Sequence, residues 1–144
     1  MLVQTRSGKR EPVQFDKITH RISQLTYGLD AKYVDSMQVA KRTINGLFDG
    51  ITTEELDNLS AEVSAYMTSV HPDYARLAGR IAVANLQRST SDSFMETVEK
   101  LYGFKNEFTG EKQPLVSEEF YQYAREYKDR ISTEIAYSRD FEFD

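Results

Sequence analysis

The chain has no cysteine, which removes disulfides, thiolate metal sites and every cysteine-based reaction from consideration. Only two histidines are present, so a zinc site has little to draw on. No apolar run approaches the roughly 20 residues needed to span a bilayer, and the opening MLVQTRSGKR lacks the apolar segment of a secretory signal. The expectation is a cytoplasmic protein with no membrane partner. Three prolines and seven glycines leave no room for a long low-complexity linker. What remains is ordinary for a globular domain: 40% hydrophobic and 28% charged residues. A chain of this length buries roughly two-thirds of its unfolded surface, enough for a core. One domain, or one domain with a helical extension, is expected.

Positive charge is not in excess either. The formal net charge of −5 argues against a general DNA or RNA binder. The charges are unevenly spread: residues 1–50 carry eight basic and five acidic side chains, residues 51–100 four and eight, and residues 101–144 six and ten. Only the first third suits an anion.

The first third opens with LVQTR and REPVQF on either side of Ser7-Gly8-Lys9. Gly8 supplies the positive φ that a hairpin turn requires, so an N-terminal β-hairpin is predicted. Ile18, Ile22, Leu25 and Leu29 recur at helical spacing, predicting a helix from about Asp16 to Tyr27 ended by Gly28. Asp35 is placed to cap a second helix with apolar face Met37, Ala40, Ile44 and Leu47, closed by Gly46 and Gly50. Thr52 followed three residues later by Glu55 is a capping box, opening a third helix whose buried stripe reads Leu56, Leu59, Val63 and Met67. Pro72 suits the first turn of a fourth helix carrying Leu77, Ile81 and Leu86, where Ala75, Ala78, Gly79, Ala82 and Ala84 permit close packing. Hairpin and helices form one unit closing near residue 90. Beyond it, residues 93–102 read as a helix, GFKNEFTGEKQP as a loop, and Ser117 heads an acidic, tyrosine-rich helix. The final YSRDFEFD alternates like the first half of a strand pair and stops, so a piece of something longer, or one part of a split protein, is expected.

Arg6, Lys9 and Arg10 surround the turn, and Lys17 and Arg21 lie one turn apart on the first helix. Amides at a hairpin turn and a helix N-terminus, joined by guanidinium and ammonium groups, make a phosphate pocket. The spacing is neither a Walker loop nor a dinucleotide fingerprint. From the residues alone, solvated charges on an exposed hairpin explain the stretch as well. Asp16 is open between an N-cap and a ligand contact. The capping box accounts for Thr52, the helix dipole for Asp57, a cap or turn role for His71 before Pro72, and solvation for His20. The aromatics are not interleaved with basic residues, so they are expected in the core or on subunit contacts.

VQTRSGKREPVQFDKI resembles the signature of the ATP-cone, and GITTEELDNLSAEVSAYMTSVHPDYARLAGRIAVANLQRST is similar to the class I ribonucleotide reductase large subunit of the eukaryotic and viral type. The likeness spans essentially residues 1–140, including AYSRDF, which in that family runs towards the catalytic barrel. It implies an α+β fold, mainly α: an ATP-cone over residues 1–91, built as a four-helix bundle capped by a short N-terminal β-hairpin or three-stranded sheet. A helical extension over residues 92–144 would then lead towards a catalytic domain absent from this chain.

The same resemblance implies an overall activity site, where ATP activates and dATP inhibits, with Mg2+ held through the nucleotide phosphates and not by the protein directly. It assigns Arg6 and Lys17 to the phosphates, and Glu11, Pro12, Val13, Gln14, Phe15 and Asp16 to the base, with Ile18 beside them. Thr53 and Asp57 face the nucleotide from the opposite side, a placement their i, i+4 spacing permits. Thr5, Arg21 and Arg88 are weaker candidates. Thr5 stands where a lysine is usual, a loss worth about 1–2 kcal/mol in binding. Arg88 replaces a common lysine and keeps the charge. Reductase chemistry in the family needs cysteines, so this chain would be the regulatory part of an oxidoreductase. Its partners would be the rest of the large subunit, further copies of it in a dimer or higher oligomer, and the small radical-generating subunit. The first helix and the outer end of the hairpin would form the contact surface. Two other readings stand beside this one: a stand-alone nucleotide-sensing interaction module, and a structural helical cap whose nucleotide site has decayed, for which Thr5 is the support.

Overall fold

Gly8 adopts φ = +80°, the left-handed conformation that lets the chain reverse between β1 (Leu2–Gln4) and β2 (Arg10–Pro12). The two strands pair antiparallel with Val3 opposite Glu11. A computed structural model describes residues 1–142 of the chain. The helices that follow are α1 (Phe15–Ser23), α2 (Ser36–Asn45), α3 (Thr53–Tyr66), α4 (Asp73–Ser89), α5 (Phe94–Tyr102), α6 (Glu118–Glu126) and α7 (Lys128–Glu134). Short 3-10 turns lie at Met67–Ser69 and Tyr137–Glu142. The fold is thus mainly α with one small sheet. Among the described residues no helix is long and apolar enough to cross a membrane.

The chain divides into two units. The first comprises residues 1–86 with Phe141 and Glu142. Its core gathers Val3 from the hairpin, Ile18 and Ile22 from α1, Val39 and Ala40 from α2, Leu56 from α3, and Tyr74, Leu77 and Ile81 from α4. α1 packs on α2, and α2 on α3. The predicted third strand reduces to a single parallel bridge between Gln4 and Thr52, reinforced by Gln4 N–H donating to the Ile51 carbonyl at 2.9 Å. Gly50, at φ = +85°, turns the chain into that position, and its N–H donates to the Leu2 carbonyl.

Several expected faces are rotated or shortened. α1 ends at Ser23, not near Tyr27. There the backbone tightens to three-residue turns, with the N–H groups of Leu25 and Thr26 donating to the carbonyls of Ile22 and Ser23, and the Ser23 and Thr26 hydroxyls donate to the carbonyls of His20 and Ser23. Beyond this turn the buried Arg80 guanidinium on α4 donates to the carbonyls of Leu25 and Tyr27 at 2.8 and 2.7 Å and lies 3.9 Å from the Tyr27 ring centroid. Those carbonyls lie past the last turn of α1, where no helical N–H follows to pair with them. α1 also begins one residue earlier than expected, with Gln14 as its N-cap, so Asp16 sits inside the first turn and is not the cap. On α2 the buried residues are Val39, Ala40 and Thr43, while Met37 is 67% exposed. On α3 the buried line runs through Leu56, Ser60, Ser64 and onward to Met67, with Leu59 and Val63 only half-buried. Serines tolerate that position because their hydroxyls donate to the carbonyls of Leu56 and Ser60, four residues back, each at 2.9 Å. On α4 the stripe runs from Leu77 and Ile81 to Asn85, four residues on, so Leu86 faces outward. Ala75, Gly79 and Ala82 are exposed as well, and a Cβ on Gly79 would meet nothing within 4 Å, so these small residues do not serve close packing here.

The predicted caps hold locally. Asp35 accepts from the Met37 N–H at 2.8 Å, and Thr52 and Glu55 form both bonds of a capping box. His71 Nδ1 accepts from the Asp73 N–H at 3.2 Å at the start of α4, and its ring stacks on Tyr33. His20 is exposed.

The second unit, residues 87–140, packs α5 against α6 and α7, burying Val98 and Ala124. Ser93 and Ser117 cap α5 and α6. Tyr102 stacks on Tyr121 with centroids 4.1 Å apart, and its hydroxyl donates to the Glu118 carboxylate. The predicted loop contains one antiparallel bridge, Lys105 with Lys112. Where a strand was expected at the C-terminal end, the described residues Tyr137–Glu142 form a 3-10 turn, and Phe143 and Asp144 lie outside the described residues.

Candidate functional site

Two clefts open beside the hairpin. The first, of about 560 Å³, lies between β2, the start of α1 and the start of α3. Glu11, Pro12, Val13, Gln14, Lys17, Ile18 and Thr53, all singled out from the sequence, line it. Thr5 and Arg21 line it too, and Val3 and Leu56 complete its apolar wall. The second, of about 550 Å³, is lined by Gln4, Gly8 and Arg6 from the hairpin and by Thr52 and Glu54 at the start of α3. Thr5 and Thr53 line both clefts.

Local structure explains why donors collect here. The first N–H groups of any helix lack intrahelical acceptors. In α2, α3, α5 and α6 a side chain from the N-cap residue accepts from one of them, whereas Gln14 makes no such bond in α1. Lys17, in the first turn of α1, lines the first cleft and brings positive charge to the same end of the helix.

Asp57 behaves differently from its expected role. It is 3% exposed and lines neither cleft. Its Oδ1 accepts from Arg21 Nη1 at 3.0 Å, and its Oδ2 lies 3.5 Å from Arg6 Nη2. Thr53 and Asp57 do share a face of α3, but Asp57 lies deeper, behind the two arginines. Phe15, Asp16 and Arg88 also line neither cleft, and Phe15 and Asp16 are exposed. Lys9 pairs with Glu11 at 3.2 Å. Thr5 is committed to the turn: its hydroxyl donates to the Lys9 carbonyl and accepts from the Lys9 N–H, both at 3.1 Å.

Sequence reasoning missed Asn85, which is 6% exposed on α4. Its Oδ1 accepts from Arg6 Nη2 at 2.5 Å, and its Nδ2 donates to Asn58 Oδ1 at 2.8 Å. The available signal was an amide four residues after Ile81, in the next position of an apolar stripe. Among the described residues no cluster of three His, Cys, Asp or Glu side chains could hold a metal.

A family model described as the ATP cone domain matches residues 1–89. The large chain 2 of ribonucleoside-diphosphate reductase from Saccharomyces cerevisiae is 50% identical over 143 residues, covering 99% of this chain and 16% of the relative. The large subunit from Arabidopsis thaliana is 44% identical over 144 residues, covering 100% of this chain and 18% of the relative. That of vaccinia virus is 43% identical over 143 residues, covering 99% and 18%. The chain therefore spans less than a fifth of the length of these relatives, and it carries no cysteine of its own. Matched through its hairpin and α1 to α4, and similar along its whole length to reductase large subunits of eukaryotes and a virus, the chain belongs to the ATP cone family.

Proposed function

We propose that residues 1–91 form an allosteric site for ATP or dATP, and that residues 92–144 are a helical extension leading to the catalytic part of a ribonucleoside-diphosphate reductase large subunit. The observation that carries this reading is convergence. Lys17 and Arg21 line one cleft, Arg6 lines the next, and Thr5 and Thr53 line both. A triphosphate needs cations and N–H donors together, and the start of α1, whose N-cap Gln14 makes no side-chain bond, would supply the second. Glu11, an acceptor beside Pro12, Val13, Gln14 and Ile18, suits the exocyclic amine of an adenine lying on an apolar wall. Phe15 and Asp16 would stand at the rim, and Asp57 would act through Arg6 and Arg21. Mg2+ would be held by the phosphates and keep most of its waters, offsetting part of the polyanion's charge.

Such a site would activate with ATP and inhibit with dATP by changing how large subunits associate with one another and with the small radical-generating subunit. α1 and the outer end of the hairpin would form the contact surface, and the cytoplasm would be its compartment. The test is calorimetric titration of the 144-residue chain with ATP, dATP and GTP. Binding of both adenine nucleotides, with GTP weaker, is expected. No heat with either adenine nucleotide, from a sample that circular dichroism shows to be folded, overturns the proposal.

A further inference from the structure

We propose that Asn85 is a positioning residue for the anion site: it holds the Arg6 guanidinium at the second cleft with its charge intact. The proposal rests on the nucleotide reading above. Arg6 has two neighbours competing for the same nitrogen. Asp57 Oδ2 is 3.5 Å from Arg6 Nη2, at the edge of hydrogen-bonding distance, whereas Asn85 Oδ1 is 2.5 Å away. The amide therefore makes the tighter contact, although the carboxylate carries the charge.

The orientation of that amide is fixed from behind. Asn85 Nδ2 donates to Asn58 Oδ1 at 2.8 Å and lies 3.4 Å from the Glu54 carbonyl, so its oxygen must turn towards Arg6. Glu54 itself lines the second cleft, so Asn85 ties Arg6 to the turn of α3 that forms the opposite wall. Asp57 and Asn85 both meet Arg6 at the same terminal nitrogen, Nη2. An amide suits this task better than a carboxylate. It accepts a hydrogen bond without neutralising the guanidinium, whereas a second carboxylate would compete with a phosphate for the same charge. Without Asn85, Arg6 would close onto Asp57, whose side chain is only 4% exposed, and withdraw from the cleft.

The test is a double-mutant cycle of Arg6→Ala and Asn85→Ala, read by calorimetry with two probes, ATP and inorganic tripolyphosphate, with a thermal melt on each variant. Asn85→Ala is expected to raise the dissociation constant about tenfold, the loss that follows a mispositioned charged donor. In the Arg6→Ala background the same change is expected to have no further effect, because Asn85 acts only through Arg6. A merely structural role would weaken binding equally in both backgrounds, and that additivity overturns the proposal. Unchanged affinity in Asn85→Ala overturns it too. Should Asn85→Ala fail to fold, Asn58→Ala, at an exposed position, replaces it in the cycle and is expected to show a smaller loss with the same dependence on Arg6. Binding of tripolyphosphate without ATP would sink the adenine reading and leave the cycle to be read on the anion. Binding of neither probe would sink both.

Discussion

Thr5 shows how one side chain can serve the backbone where a charge would serve the ligand. Its hydroxyl closes the hairpin turn through the Lys9 N–H and carbonyl, and it also lies 2.9 Å from the Ser7 hydroxyl. The missing cation is thus exchanged for a turn held at both ends, and the position still lines both clefts. Replacing Thr5 with lysine would remove the turn bonds and add a cation within reach of a bound triphosphate. Thr5→Lys is therefore expected to tighten ATP binding by about 1–2 kcal/mol, with a lower melting temperature for the free protein. Calorimetry and a thermal melt check the pair of effects. An affinity that is unchanged or weaker would mean that charge at this position does not limit binding. Asp57 teaches the complementary point: its spacing from Thr53 was readable, but its burial behind Arg6 and Arg21 depends on residues 51 and 36 positions away.

At the scale of elements, α3 illustrates what local chemistry decides. Thr52 and Glu55 are three residues apart, and each satisfies an N–H of the other. The Glu55 carboxyl is held below its ordinary value of 4.5, first by the Thr52 backbone N–H and then by the Thr52 hydroxyl. A depressed folded value means that this contribution is complete above the unfolded value and is lost as pH falls through the folded one. Thr52→Ala is expected to cost about 1 kcal/mol at neutral pH. The stability of Glu55→Ala is expected to converge with that of the wild type as the pH drops below 4.5. Urea denaturation across that range measures both. A wild-type to Glu55→Ala gap that stays constant with pH would show that the carboxylate's charge is not what the cap uses. The caps of α2, α3 and α6, the hairpin turn and the existence of α1 to α6 were legible because each signal lies within a few residues, whereas α7 carried no cap signal of its own, its N-cap Tyr127 making no side-chain bond. The end of α1 was read too late, because Ser23 and Thr26 turn their hydroxyls back onto the chain there, and the path that follows is held by Arg80, 53 and 55 residues from the carbonyls it binds. The buried faces of α3 and α4 were misjudged for a related reason: Ser60, Ser64 and Asn85 are polar, and only their completed hydrogen bonds make them suitable for the interior.

The whole molecule sets a limit on what any one site can accomplish. ATP and dATP differ by a single 2′-hydroxyl, and one neutral hydrogen bond contributes about 0.5–1.5 kcal/mol. Moving a two-state equilibrium from almost wholly one form to almost wholly the other takes about 5.5 kcal/mol of differential affinity. One cone cannot draw that difference from one hydroxyl, so on the proposed reading a sharp response would come from several copies whose association depends on which nucleotide is bound. The isolated chain is therefore expected to bind ATP and dATP with dissociation constants within about tenfold of each other. Sedimentation velocity on the same samples separates the two levels, since a monomer that discriminated about ten-thousandfold would carry the switch by itself. That result would place the selectivity inside the clefts and remove the need for association between subunits.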